Sequence, residues 1–141
     1  MSTAMEMAAN ANLNAWFGWS IDNELDLSNL VRDGVDPSVI NTLMEHGFNK
    51  QELNWVIPSR TLSHRVSKAE KLTRDESAKI IRAARLTAQA VAVFGNEQKA
   101  NNWLSKPKKK LEGRTPKEAM QDEFGASIVE QLLLRIESGY F

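Results

Sequence analysis

Cysteine is absent from the 141 residues, which rules out disulfides, thiolate metal sites and the disulfide framework of a small secreted protein. Only two histidines occur, His46 and His64, and they do not share a metal-ligand spacing. The glycines stand singly, so no loop can cradle a phosphate through consecutive backbone amides. No apolar run approaches the ~20 residues needed to cross a bilayer, and Met1 to Ala15 lacks the basic lead-in and apolar core of a leader. Neither export nor membrane insertion is expected, and a cysteine-free chain suits the reducing cytoplasm. No segment alternates with period two long enough to make a strand, and neither an internal repeat nor sustained heptads is visible. An all-α fold is expected. Acidic pairs such as Asp75 and Glu76 sit where helix first turns favour carboxylates, so no acid–base pair, nucleophile or metal cluster points to an enzyme, and no cofactor is expected.

What the chain does have is a segregation of charge. Its formal net charge is zero, yet Ile57 to Lys117 holds 15 basic against 5 acidic residues, while the flanks together hold 3 against 13. A basic middle between acidic ends suits a polyanion on one surface and a different partner elsewhere, or simply solvated helix faces.

Helix boundaries are written out in capping residues. Met1 to Asp26 is rich in Ala, Asn and Met and shows no sustained helical period, so it is read as a mobile arm. Its aromatic cluster, Trp16, Phe17 and Trp19, either pins that segment to the core or docks on a neighbouring surface. Leu27, Leu30 and Val31 keep helical spacing up to Gly34, and Asp36-Pro37 supplies a cap and a first-turn proline for a short helix ended by Gly47. Asn49 with Glu52 forms a capping-box pair ahead of Leu53, Val56 and Ile57. Ser59 is expected to cap a helix with the apolar stripe Leu62, Val66 and Ala69. Thr73 with Glu76 opens the longest periodic segment, through Ile80, Ala84, Thr87, Val91 and Phe94 to Gly95. Asn96 caps a helix bearing Ala100, Trp103 and Leu104, followed by the lysine-rich loop 105–110. Thr115-Pro116 opens another helix ending near Gly125, and the last helix starts at Ser127 with Ile128, Leu132, Leu133 and Ile136 on its apolar face.

Three short helices over 27–71, the last basic along its free face, match a helix-turn-helix module. Arg60, Thr61, Ser63, His64, Arg65 and Lys68 lie off the apolar stripe of that last helix, where Arg60 and Arg65 could meet guanine or phosphate in a major groove. A solvated basic face is the plainer alternative. The loop Lys106 to Lys110 could likewise bind phosphate, a protein or nothing.

Over Leu72 to Phe141 the order of marks resembles the Xre/MbcA/ParS toxin-binding domain family. The marks are Leu72-Thr73 with Glu76, Arg85-Leu86, Val93-Phe94-Gly95, Lys99-Ala100, Trp103-Leu104, Pro107, Leu111 with Gly113, Thr115-Pro116, Gly125-Ala126 and Leu133 to Gly139. Upstream, Ser59 to Arg65 resembles the recognition helix of the family's Xre-like half, a weaker likeness. The resemblance implies a DNA-binding module over 27–71 and a toxin-binding domain over 72–141; the arm over 1–26 has no counterpart assigned in it. It further implies an antitoxin that blocks a NAD-degrading RES-domain toxin and represses its own operon through operator DNA. Trp103, Arg135, Ile136, Gly139, Tyr140 and Phe141 are the expected toxin-binding residues. Operators of two-fold symmetry are read by dimers, so a homodimer within a larger assembly is expected, formed through the Ile80 to Phe94 helix or the Ile128 to Ile136 face. The alternative is a free-standing regulator or adaptor that binds a non-toxin protein.

Overall fold

The computed structural model describes residues 3–139. Among these residues there is no strand. The helices are α1 (Ala4–Phe17), α2 (Glu24–Asp33), α3 (Ser38–Glu45), α4 (Ser59–Ser67), α5 (Arg74–Phe94), α6 (Glu97–Leu104), α7 (Pro116–Ala119) and α8 (Glu123–Glu137), with 3-10 turns at Gln51–Leu53 and Lys109–Leu111. No helix in this range is long and apolar enough to cross a membrane.

The architecture is built around α5, against which α1, α2, α3, α6 and α8 all pack. Its apolar stripe is far wider than the spacing of Ile80, Ala84 and Thr87 predicts: Ala83, Leu86, Ala88, Gln89 and Ala90 are buried as well. The many alanines are the reason. They carry no bulk, so neighbouring helices approach from several directions, and the helix is enclosed rather than half-exposed. Most of the Ile80 to Phe94 stretch expected as a dimer face is thus taken up within the chain up to Ala90, while Val91 to Phe94 stay half-buried.

The N-terminal segment differs most from its sequence reading. Instead of an arm, residues 4–17 form α1, started by the Thr3 hydroxyl accepting from the Glu6 amide (3.0 Å) and stopped at Gly18 with φ +72°. Met5, Ala9 and Leu13, spaced by four, are buried against α5, and Asn12 Nδ2 donates to the Ala88 carbonyl at 3.1 Å. The aromatic cluster pins this segment to its own chain: Phe17 stacks on Trp19 at 4.4 Å, and Trp16 stacks on His46 at 4.1 Å.

Predicted caps hold at Asn49/Glu52, Thr73/Glu76 and Thr115/Glu118, where side chain and backbone exchange hydrogen bonds in both directions. The first of these opens only a 3-10 turn, not a helix, over Gln51–Leu53. Asp36 accepts from the Ser38 amide (2.9 Å), but α3 begins at Ser38 with Pro37 in the cap position, one residue later than expected, and without a side-chain cap. Gly125 does not end a helix. Asp122 caps α8 through the Gly125 amide (2.7 Å), and Gly125 lies in the first turn pressed against the Ala119 carbonyl, where a Cβ would collide with that oxygen.

The two halves meet through polar contacts. Lys117, only 8% exposed, donates to the Gly47 carbonyl (2.7 Å) and to Glu52 (3.1 Å), with its ammonium over the Phe48 ring at 4.6 Å. His46 pairs with Glu97 across the same junction. Buried side chains from α1 to α8 form one continuous core.

Candidate functional site

Two surfaces deserve description as sites. The first is α4. It starts at Ser59 after Pro58, without the side-chain cap expected from Ser59, and none of its residues is buried. The expected stripe is not a core face: Leu62 is half-buried, Val66 is 62% exposed, and Ala69 lies beyond the helix in the left-handed region at φ +55°. What fastens the helix is Arg65. Its Nε and one terminal nitrogen donate to the two carboxylate oxygens of Glu76, each at 3.2 Å, with Glu70 at 3.7 Å. Such a two-pronged, charge-assisted pair fixes geometry as well as adding energy. Glu76 simultaneously accepts from the Thr73 amide (2.8 Å), so one carboxylate caps α5 and moors α4.

Burial opposes ionisation of Glu76, but the hydrogen bonds from Arg65 and Thr73 outweigh it and hold the carboxyl below its usual range; the same pairing raises the pKa of Arg65. The guanidinium placed by sequence among base-contacting groups is therefore already engaged within the chain. Thr61 is half-buried as well. Arg60, Ser63, His64 and Lys68 remain exposed along one side of α4.

The second surface is a groove of about 390 Å³ between α6, the loop that follows it and the last turns of α8. Its apolar floor is the half-buried Trp103, Leu132 and Ile136, and exposed Pro107 with the cations Lys108, Lys109, Lys110 and Arg135 completes the lining. Trp103 is held by Phe94, the last residue of α5, with ring centroids 5.8 Å apart, and by the Lys108 ammonium 4.9 Å from its own ring centre. Lys108 is half-buried; that burial, and then the charge of nearby Lys106, press its pKa below the usual lysine range. On α8, Leu132, Arg135 and Ile136 are three and four residues apart and so share a face.

Three residues expected to form one binding surface, Trp103, Arg135 and Ile136, thus line a single groove. Gly139 follows at the end of α8 with φ +89°, one turn beyond Arg135. Tyr140 and Phe141 lie outside the described residues. Two features of the groove were not placed on it from sequence. The lysine loop is ambiguous from sequence, and Leu132 stands there only on the broad apolar face of the last helix; its spacing from Arg135 and Ile136 is the available signal. Ile128, on the same apolar face, is 41% exposed, because Ala126, Val129 and Leu133 are the residues α8 turns inward. Among the described residues, no group of three or more acidic, histidine or cysteine side chains could hold a metal ion.

A small all-helical chain with such a groove in its C-terminal part can be placed among known proteins. Residues 89–139, which include every groove-lining residue, match the family model of the antitoxin Xre/MbcA/ParS C-terminal toxin-binding domain. A protein of Pseudomonas putida named Antitoxin Xre is 38% identical over 119 residues, covering 84% of this chain and 75% of that relative. Proteins of the same name from Photorhabdus laumondii and Yersinia enterocolitica are 32% identical over 117 residues and 40% identical over 86, covering 80% and 60% of this chain and 79% and 58% of the relatives. The chain belongs to the Xre family of antitoxins, and the partner of its C-terminal domain is a protein toxin.

Proposed function

We propose that this antitoxin neutralises a RES-domain, NAD-degrading toxin by covering its active site with the Trp103 groove and the end of α8, and that it represses its own operon through α4. It acts in the bacterial cytoplasm by occupying surfaces, without turnover of its own. The observation that carries the toxin-binding part is the convergence of Trp103, Arg135 and Ile136 on one open groove inside the segment matched by the toxin-binding family model. For DNA, support comes from the exposed row Arg60, Ser63 and His64 on α4, continued by Lys68 at its C-terminal cap. Arg65 acts in this scheme as the mooring of α4, while Arg60 approaches base edges or phosphate. Self-association uses the outer face of α8, where Phe124 is 75% exposed and Ile128 is also uncovered.

The deciding experiment is co-expression with the RES-domain protein encoded beside this chain. Co-purification, with cellular NAD preserved only when both are present, is the expected result; absence of both binding and protection overturns the antitoxin–RES pairing. In the same preparation, light scattering at micromolar concentration should report a dimer. Arg60→Ala should weaken operator binding by about 1–3 kcal/mol without changing thermal stability.

A further inference from the structure

We infer that the groove between α6 and α8 receives an acidic segment of the toxin that carries an apolar side chain next to its carboxylates, an inference that rests on the antitoxin reading above.

The groove concentrates positive charge, with Lys108, Lys109, Lys110 and Arg135 around one cavity. No carboxylate lines it, and among the described residues none of Lys106, Lys108, Lys109, Lys110 or Arg135 forms an ion pair. Four basic side chains elsewhere do find carboxylates, Arg65 with Glu76, Lys79 with Asp75, Arg85 with Glu24 and Lys117 with Glu52; in the groove four cations line one cavity and none of them is paired among the described residues. Crowded ammonium groups repel one another, and half-burial of Lys108 adds a desolvation penalty. An anionic occupant relieves both costs, and potentials of opposite sign across an interface raise the encounter rate and set register.

The floor decides what kind of anion. Phosphate groups of a duplex are met by cations alone and would leave Trp103, Leu132 and Ile136 wet. A protein segment can satisfy both parts of the surface, seating an aliphatic or aromatic side chain on the floor while its flanking carboxylates reach Lys109, Lys110 and Arg135. The volume, about 390 Å³, lies at the small end of the ~300–1,000 Å³ range of ligand pockets and suits a short run of side chains rather than a whole helix. The location agrees, because every lining residue falls within the segment matched by the toxin-binding family model.

The test is the affinity of the full chain for the RES-domain toxin encoded beside it, measured from about 50 to 500 mM NaCl, where screening of exposed charges becomes nearly complete. The expected result is binding that weakens with salt, a loss of about tenfold or more at low salt for the double variant Lys109→Glu/Lys110→Glu, and a flattened salt dependence in that variant. Ile136→Gln should weaken binding without flattening it. Both lysines are exposed, so the charge variant should fold normally. Wild-type binding to toxin that is indifferent to salt and to both variants would overturn the inference and leave the antitoxin reading standing. Loss of duplex affinity with toxin affinity intact would overturn it in favour of nucleic acid, and loss of the homodimer alone would overturn it in favour of a second copy. A wild-type chain that binds no toxin would instead remove the reading beneath it.

Discussion

Glu76 shows how much one side chain can hold. It closes the cap of α5, moors α4 through Arg65, and lies at the seam between the DNA-binding module and the toxin-binding half expected from sequence. A carboxyl whose pKa is lowered on folding contributes stability above the ordinary carboxylate range and loses it as pH falls through and below that range. Asp36, lowered by the Ser38 amide, and Glu118, lowered by the Thr115 amide, act with the same sign. The melting temperature should therefore drop on acidification. Glu76→Gln should cost roughly 1.5 kcal/mol at neutral pH, in line with hydrogen bonds to a charged group, and its melting curve should approach the wild-type curve in acid. Parallel pH profiles from pH 7 down to about 3 would show that the clamp contributes nothing. Sequence inspection found the capping role of Glu76, because Thr-x-x-Glu is a local pattern. It could not find the Arg65 contact, which depends on how the chain turns through Ala69, a non-glycine residue in the left-handed region.

At the scale of elements, legibility followed the chemistry of helix ends. Reciprocal caps at Thr73 and Thr115 were readable because both partners lie within three residues of each other. Helix α1 was missed because its buried positions include an alanine among alanines, so Met5, Ala9 and Leu13 did not stand out as a stripe. Gly125 was misread for a related reason: glycine commonly ends helices, but here its missing side chain lets α8 approach the Ala119 carbonyl. The distinction can be measured. In an exposed helix, Gly→Ala is stabilising by about 1 kcal/mol. Gly125→Ala should instead destabilise by about 2 kcal/mol, since α8 must retreat from α7 to admit the methyl group. An unchanged or raised urea midpoint would mean that the contact yields freely.

For the whole molecule, the core runs straight across the division expected from sequence at residue 72. Helix α5 packs against α1 and α2 from the first half and against α6 and α8 from the second, and Lys117 and His46 bind the halves across their junction. A fragment of residues 72–141 would expose the alanine-rich flanks of α5 to water. It should lack a cooperative thermal transition by circular dichroism, whereas the full chain should melt in one step. A sharp transition in the fragment would show that the C-terminal half folds alone. The groove was only half legible for the same reason. Trp103, Arg135 and Ile136 could be nominated one by one, but their meeting with the lysine loop depends on the packing of α6 and α8 against α5.

That central helix also acts as a spacer. Its 21 residues extend about 31 Å at 1.5 Å per residue, with the anchor of α4 at one end and Phe94, the support of Trp103, at the other. Were a duplex to lie along α4 and a protein beside Trp103, as proposed, the two contact points would be held roughly a small domain's width apart on one rigid rod.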